Sequence, residues 1–450
     1  MICQIRRWKE LDRWDWIRVS NLITQSLIRS HTRIHGFLAR RVEPVDKAKT
    51  PFSEIVPISI HFDGSITKRV LKEGREYTLP MLWVRPGDVV LSKIDLKNGA
   101  VGILPDDWAG AAVTTHFAVY EPDRTKILPE YFRLLIQTPL FKAWLGDNKS
   151  GHDGRTEVKL ADFEELEVPL PSLHDQRRLV AAYQQAQDKA AELEAQAQQI
   201  EHDAQREFEA ALGLTPLPDL PKRPFQIARF KDIERWSHEG ILHDLFIGDA
   251  SPVSRFQIVQ LRDIANVSYG LQKSPNNRPD KYPRPYLRVA NVQRGCLDLR
   301  EIKMIDVTDT DMPKYQLEYG DVLLCEGNSA DLVGRGAIWR NEIAGCVHQN
   351  HILRVRLDQQ RAIPEFILAY INSPSGQAYF RAKAKRTTNL ASINSKEVAN
   401  LPVPLPEDTA TQVAIVQLLK KKREAAGLKR KHAVELRTAA WNDFIAAVFS

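Results

Sequence analysis

The tetrapeptide Val-Pro-Leu-Pro occurs twice in this chain, beginning at Val168 and at Val403, and a long polar segment follows each copy. The segment upstream of each copy is also repeated. It is "PEYFRLLIQTPLFKAWL" from Pro129 in the first half and "PEFILAYINSPSGQAYF" from Pro364 in the second. Matched segments at a constant separation are the signature of an internal repeat. They indicate that the chain contains two related halves.

Two further pairs of segments follow the same order. "GDVVL" from Gly87 matches "GDVLL" from Gly320, and "RWKELDRW" from Arg7 matches "RFKDIERW" from Arg229. In the first pair, Gly-Asp is typical of a turn and the β-branched run of a strand. Short β-rich runs separated by turn clusters predict an α+β domain with a largely antiparallel sheet in each half.

The segment after each Val-Pro-Leu-Pro is predicted to be a long helix, because proline cannot continue a helix and marks its boundary. The predicted order is a first α+β domain (1–170), a first helix (171–213), a Pro-rich linker (214–224), a second α+β domain (225–405) and a second helix (406–450). We expect a fold in which two homologous α+β domains are separated by two long antiparallel coiled-coil helices.

The first predicted helix carries an apolar seam at steps of three and four residues, which is the pattern of a coiled coil. The second helix has a weaker seam, because Lys422 interrupts the apolar face and Gly427 lies in its middle. Alanine is common in the first seam, so this helix buries little apolar surface alone and needs a partner helix. We predict that the two helices pair with each other rather than each packing only on its own domain. The larger seam residues are Leu179, Tyr183, Leu193, Ile200, Phe208, Ile415, Leu419, Leu436 and Phe444.

The second helix also contains a basic run within residues 419–432, with a single acidic residue, Glu424. Its cations are Lys420, Lys421, Lys422, Arg423, Lys429, Arg430 and Lys431. Such a run fits a phosphate backbone or an acidic partner subunit, and it also fits a solvated helix face. The sequence leaves these alternatives open.

The overall composition is that of a soluble globular protein, with a net charge of +6 and a pI near 9.0. Such a charge permits an anionic partner. The four cysteines are scattered without a CxxC pair, so we expect neither a disulfide framework nor a zinc site. The first residues contain no apolar signal-peptide core, and no apolar run has the length of a membrane span. We therefore predict a cytoplasmic protein with no membrane partner.

With these features the chain resembles the DNA-specificity subunits of type I restriction–modification systems. The resemblance rests on the motif "PLP…Q", which is Pro169-Leu170-Pro171 with Gln176 in one half and Pro404-Leu405-Pro406 with Gln412 in the other. It also rests on "GDVLLCEGNSADLVGRGAIW" and on "NLASINSKEVANLPVPLP". It covers nearly the whole chain.

The resemblance implies that each α+β domain is a target-recognition domain for one half of a split sequence in double-stranded DNA. It implies that the helices set the spacing between the half-sites and dock two adenine-methyltransferase subunits, which two motor-nuclease subunits can join. S-adenosylmethionine, ATP and Mg²⁺ would then belong to those partners, and this chain would be a non-catalytic subunit with no cofactor or metal.

Motifs that would make the chain itself an enzyme are missing from the sequence: GxxxxGK[ST], GxGxxG between strand and helix, HExxH and GxSxG. One alternative is a nuclease with a metal site at Asp153, Glu157 and Lys159. Another is a protein-binding scaffold that uses the basic helix. Cys346, His348 and His351 could suggest a metal site, although strand alternation favours polar strand residues there.

DNA recognition requires side chains with suitable donors and acceptors, such as Arg or Lys for guanine and Asn or Gln for adenine. Polar loops that combine cations with amides are the candidates. In the first domain they are Lys93, Lys97, Asn98, Thr115, His116, Lys149, His152 and Arg155. In the second they are Gln272, Lys273, Asn276, Asn277, Arg278, Asn328, Arg335, His348, Gln349, Asn350, Arg386, Thr387, Thr388 and Asn389.

Overall fold

A computed structural model of the chain describes residues 31–46, 48–69, 79–147, 149–150, 157–215, 253–329, 332–386 and 391–449, together with residues 227, 229 and 241. The chain divides into two compact units. Unit 1 comprises residues 1–193 and 431–450, and unit 2 comprises residues 194–430. Most of the predicted linker lies outside the described residues.

The described residues of unit 1 form two four-stranded sheets. One is antiparallel, in the order β2 (Leu38–Arg41), β9 (Phe117–Pro122), β6 (Val89–Ser92), β7 (Val101–Ile103). The other has the order β4 (Ile66–Lys68), β3 (Val56–Ile60), β8 (Ala111–Thr114), β5 (Met81–Trp83), in which β3 and β8 are parallel. β1 (His31–Arg33) pairs with β12 (Glu167–Pro169), and β10 (Lys149–Ser150) pairs with β11 (Glu157–Val158).

The described residues of unit 1 also form three short α-helices: α1 (Pro129–Gln137), α2 (Pro139–Asp147) and α3 (Leu160–Glu164). α1 begins at a proline, whose fixed φ and missing N–H suit the first helical turn. Thr138 ends α1 and Pro139 begins α2. The apolar residues of α1 are buried against the antiparallel sheet with Val89 and Tyr120. The long helix α4 (Leu173–Ala211) follows.

Unit 2 repeats this architecture. Its antiparallel sheet has the order β14 (Ala265–Tyr269), β21 (Ile352–Leu357), β17 (Val322–Cys325), β19 (Gly336–Ile338). A mixed sheet has the order β16 (Lys303–Asp306), β15 (Pro283–Leu287), β20 (Val347–His348), and β15 and β20 are parallel. A small sheet joins β18 (Gly327–Asn328), β23 (Ala391–Ser392) and β22 (Lys385–Arg386), and β13 (Gln257–Gln260) pairs with β24 (Pro402–Leu405).

The α-helices given by the described ranges of unit 2 are α5 (Met312–Tyr315), α6 (Pro364–Ile371), α7 (Pro374–Lys383), α8 (Ser395–Ala399) and the long helix α9 (Thr409–Phe449), which ends in unit 1. The mixed α+β class and the duplication are confirmed. The described sheets are largely antiparallel, as predicted, but each unit also contains a parallel strand pair. The sequence pattern does not distinguish this pairing, because neighbour and direction are set by tertiary contacts.

Each Val-Pro-Leu-Pro segment begins in extended backbone that pairs with the first described strand of its unit. Val168 and Pro169 pair with Thr32 and His31. Val403 and Pro404 pair in the same way with Val259 and Ile258. Proline is tolerated in such two-stranded edges, because its missing N–H faces no further strand. The motif therefore closes each α+β domain before the long helix starts.

The glutamine that follows each motif is completely buried and links the long helix to its domain. Gln176 Oε1 accepts the Leu128 N–H at 2.7 Å, and its Nε2 donates to the carbonyls of Lys126 and Pro171 at 2.9 and 2.8 Å. All these partners belong to unit 1. The amide thus satisfies backbone groups at the start of α1 and at the end of the motif.

Gln412 makes the same three bonds in unit 2. Its Oε1 accepts the Ile363 N–H at 3.0 Å, and its Nε2 donates to the carbonyls of Arg361 and Pro406 at 2.9 and 3.0 Å. We refer to each of these three-bond arrangements as a glutamine joint. A buried amide with all its partners in place is stabilising, whereas each partner left unpaired costs about 1–3 kcal/mol.

In unit 1, the start of α4 packs antiparallel against the end of α9. The Tyr183 ring lies 5.9 Å from the Trp441 ring and 6.5 Å from the Phe444 ring. Ala190, Leu193, Ala433 and Leu436 form a further cluster along the same pair. Phe444 is buried and its ring lies 5.9 Å from Tyr131 of α1, so the end of α9 completes the core of unit 1.

In unit 2, the end of α4 packs antiparallel against the start of α9. Ala204 and Phe208 are buried in one cluster with Ile415 and Leu419. The Phe208 ring lies 6.1 Å from Phe366 of α6, which corresponds to Tyr131 in the repeat. Glu209 Oε1 accepts the Ser375 N–H at 2.7 Å and fixes α4 to the start of α7. Burial of each large ring contributes about 1.5–3 kcal/mol.

Part of the basic run belongs to this helix pair. Lys422 forms an ion pair with Glu207, and Arg430 binds Glu201 with two bonds of 2.5 and 2.6 Å. Lys429 donates to Gln196 at 2.7 Å. The seam position that Lys422 occupies therefore holds a polar contact between helices, of the kind that selects a partner and a register. Lys420 and Lys421 remain exposed on the opposite side of the helix.

Two residues predicted to contact DNA lie in the interior of unit 2, and these two predictions are wrong. Arg335 is 6% exposed and donates from Nε to the Val292 carbonyl at 2.8 Å. His348 is completely buried, with Nδ1 lying 3.1 Å from the Tyr315 carbonyl oxygen. Both side chains satisfy loop backbone within the domain, which loop composition does not reveal.

Replacing Gln412 by Ala is expected to lower the free energy of unfolding by about 3 kcal/mol, because the Ile363 N–H and two carbonyls lose their buried partner. Urea unfolding of the full-length chain measures the change, and hydrogen exchange reports opening at the Ile363 amide. The matched control is Gln417→Ala on the exposed side of α9, for which we expect less than about 0.5 kcal/mol. Equal losses in both variants would contradict a specific role for the joint.

Acid is expected to destabilise the chain through His348. Burial, with Arg354 nearby, lowers the pKa of His348 from 6.5 to about 4, so the folded state favours the neutral ring. The unfolded state takes up a proton below pH 6.5 that the folded state takes up only near pH 4, and stability therefore falls across this interval by roughly 3 kcal/mol. His348→Gln should flatten the dependence in urea unfolding between pH 7 and 4.5, whereas His351→Gln at an exposed site should keep it. If the free energy of unfolding of the wild type and of His348→Gln changed with pH in parallel, His348 would not be the cause of the acid destabilisation.

Candidate nucleic-acid interface

In unit 2, backbone hydrogen bonds bring four of the predicted polar loops together around Glu326. The Glu326 N–H donates to the His351 carbonyl at 3.0 Å, and the Glu326 carbonyl accepts the Ile393 N–H at 2.8 Å. Glu326 directly follows β17, and its neighbour Gly327 begins β18, which pairs with β23 and through it with β22. The described segments 326–328, 348–351, 385–386 and 391–392 therefore share one location.

The loop that contains Gln272 and Lys273 joins the same group. The Leu271 N–H donates to the His348 carbonyl at 2.8 Å, and the Asn350 N–H donates to the Leu271 carbonyl at 3.0 Å. Gly270 packs against this segment so closely that a Cβ at its position would lie 2.1 Å from the His348 carbonyl oxygen. Only glycine permits this approach of two loops.

Unit 1 contains the corresponding arrangement around Lys93. The Lys93 N–H donates to the His116 carbonyl at 3.0 Å, and the Lys93 carbonyl accepts the Val158 N–H at 3.1 Å. Lys93 directly follows β6, as Glu326 follows β17. Val158 belongs to β11, which pairs with β10 and so brings residues 149–150 to the same place. We call Lys93 and Glu326 the hub positions of the two units.

The side chains predicted to contact DNA in unit 2 differ in their placement. Gln272, Lys273 and Arg278 are exposed, and Gln349 and Asn350 are half-buried. Asn277 has a local role, since its Nδ2 donates to the Gln272 carbonyl at 2.7 Å and its Oδ1 accepts the Ser274 N–H at 2.8 Å. The side chains of Asn276, Asn328 and Arg386, and the whole of Thr387, Thr388 and Asn389, lie outside the described part of the chain.

In unit 1, Thr115 and His116 are exposed in the turn between β8 and β9, and Lys93 is half-buried. Asn98 is half-buried, with Nδ2 lying 3.4 Å from Asp95 Oδ1. The side chains of Lys97 and Lys149 and the residues His152 and Arg155 lie outside the described residues. The described backbone bonds therefore bring together three of the predicted residues, namely Lys93, His116 and the backbone of Lys149.

Two residues at the unit 2 hub were not among the predicted DNA contacts. Glu326 Oε2 lies 2.7 Å from His351 Nδ1, and the two side chains are 24% and 55% exposed. Their signal in the sequence is positional: Glu326 aligns with Lys93, and His351 aligns with His116, in the internal repeat. An acidic residue is not expected in a DNA-binding loop, so a search for loops rich in cations and amides does not identify this pair.

The described residues contain no group of three or more His, Cys, Asp and Glu side chains arranged to hold a metal ion. Cys346 is buried and burial raises the pKa of its thiol to about 12, which is unsuited to metal binding as a thiolate. Asp153 of the alternative nuclease site, and the side chain of Glu157, lie outside the described residues. Among the helices of the described ranges, none combines the length and the apolar character that a membrane span requires.

Comparison with known proteins gives a consistent assignment. A family model described as "Type I restriction modification DNA specificity domain" matches residues 81–202. The EcoKI specificity subunit of Escherichia coli is 24% identical over 348 residues, which cover 76% of this chain and 67% of that protein. The MjaX specificity subunit of Methanocaldococcus jannaschii is 26% identical over 152 residues, which cover 34% of this chain.

The alignment spans 36% of the Methanocaldococcus jannaschii protein, about a third of its length. A solved structure titled as the basis of complex assembly and conformational transition of the type I R-M system aligns over 93% of this chain and 97% of its own. Its TM-score is 0.58 at 18% identity, so it shows a shared fold. These matches show that the chain is similar to type I restriction–modification specificity subunits over 76% of its length, and that residues 81–202 match their DNA specificity domain.

Proposed function

We propose that this chain selects the DNA sequence on which a type I restriction–modification complex acts, and that each of its two domains binds one half of a bipartite target in double-stranded DNA. The observation that carries the proposal is the duplicated hub. In both units the same backbone hydrogen bonds bring polar loops together around the residue that follows an inner strand of the antiparallel sheet, β6 or β17.

A rigid scaffold that carries variable polar loops suits sequence recognition, because base contacts require side chains held at fixed positions. The strands β6 and β17 are entirely buried, and the hub residue directly follows each of them. The two hub positions have the same pattern of backbone hydrogen bonds, but their side chains differ. This is what a target made of two different half-sequences would require.

The paired helices are the proposed spacer between the half-sites. α4 ends in the core of unit 2 through Phe208, and α9 ends in the core of unit 1 through Phe444. The glutamine joints fix the opposite end of each helix to its own domain. Each helix is thus anchored at both ends, so the distance between the two recognition domains would be set by helix length.

The exposed surface of the helix pair is the proposed docking site for two adenine-methyltransferase subunits, with two motor-nuclease subunits as further partners. S-adenosylmethionine, ATP and Mg²⁺ would be bound by those subunits, and this chain would contribute recognition without catalysis. The proposal also places the protein in the cytoplasm, where cellular DNA is accessible.

The first test is a map of N6-methyladenine in cells that express the methyltransferase subunits with or without this chain. Methylation at one bipartite motif is expected only when the chain is present, because the recognition domains supply the sequence preference. An unchanged methylation map after removal of the chain would refute the proposal.

A second test changes the length of the helix pair. One heptad inserted into α4 after Glu194 and one into α9 after Arg430 keeps both seams in register, since the helices are antiparallel at these positions. We expect a changed gap between the half-sites and unchanged half-sequences in the methylation map. The control inserts the heptad into α4 alone, which breaks the pairing and should abolish methylation. A new half-sequence at constant spacing would contradict the spacer role.

A further inference from the structure

The two hub positions have equivalent backbones and side chains of opposite hydrogen-bonding character. The N–H and carbonyl groups of Lys93 and Glu326 are occupied by corresponding partners, namely His116 and Val158 in unit 1 and His351 and Ile393 in unit 2. Both residues are therefore held in place on the main chain. A side chain on such a fixed backbone is presented to a ligand from a defined position.

Lysine offers only donors, whereas an ionised glutamate offers only acceptors. In the major groove, guanine presents two acceptors, N7 and O6, and the exocyclic amino groups of cytosine and adenine are the donors. The exchange of Lys93 for Glu326 between equivalent positions therefore reverses which base edge the position can bind.

A carboxylate at the centre of a DNA-binding surface repels phosphates, so Glu326 does not serve general affinity. Its Oε2 lies 2.7 Å from His351 Nδ1, and this contact orients the imidazole and favours the tautomer that carries its proton on Nδ1. The neutral ring then has an acceptor at Nε2, and the other carboxylate oxygen, Oε1, is a second acceptor. Together they match an amino group on a base.

We propose that the hub position is a specificity-determining position common to both domains. Lys93 binds the acceptor edge of a base, with guanine preferred, and Glu326 with His351 binds the amino group of cytosine or adenine in the other half-site. This inference rests on the proposed function, and it adds which residues discriminate bases and with which chemistry.

The test uses the full-length chain with its methyltransferase subunits and a genome-wide map of N6-methyladenine. Glu326→Lys is expected to change the preference at one base pair of one half-site by about tenfold or more, with the other half-site and the spacing unchanged. Lys93→Glu should do the same in the other half-site. Glu326→Gln and His351→Gln keep a polar side chain and should relax discrimination at that base pair, so they test the proposal even if Glu326→Lys fails to fold.

Glu407→Lys is the matched control, because it makes the same charge change at an exposed residue ahead of α9. It should leave every position of the motif unchanged. If Glu326→Lys and Glu326→Gln both methylate the original motif with the original preferences, or alter binding to all sequences equally as a phosphate contact would, the inference is wrong. A wild-type chain that directs no motif at all would instead refute the proposed function.

Discussion

Two buried glutamine side chains hold the architecture together. Gln176 and Gln412 each make three hydrogen bonds to backbone that no regular element satisfies. They tie the first turn of a long helix to the loop that starts α1 or α6. An unpaired polar group in a water-free interior is costly, so these hydrogen bonds resist being broken. They therefore restrict movement of the long helix relative to its own domain at the point where the two meet. The proposed spacer depends on this rigidity.

The helix pair shows how a seam poor in large side chains becomes stable. Alanines at 190, 204 and 433 are fully or almost fully buried and allow the helices to approach closely. Aromatic residues at the helix ends supply the apolar area that the alanines lack. Tyr183, Trp441 and Phe444 do so in unit 1, and Phe208 does so in unit 2. Ion pairs such as Arg430 with Glu201 add orientation more than free energy, since exposed pairs contribute about 0–1 kcal/mol.

The candidate interface was only partly predictable. Thr115, His116, Gln272 and Lys273 are exposed residues of loops that converge on a hub, as their composition suggested. Arg335 and His348 have the same composition but face inward, because loop carbonyls at Val292 and Tyr315 need donors. Glu326 and His351 were missed for the opposite reason, since an acidic residue looks unsuitable for DNA until its histidine partner is visible. Polarity indicates a loop, but it does not indicate which side of the loop faces solvent.

The sequence by itself determined the duplication, the α+β class, the two long helices and their seam. Each of these follows from local periodicity, from proline at fixed places or from repetition along the chain. The tertiary structure decided which strands pair in parallel, where the two glutamines find their partners and which polar residues share a hub. Such features join residues far apart in the chain, and a pattern within one segment contains no information about the neighbour that tertiary packing provides.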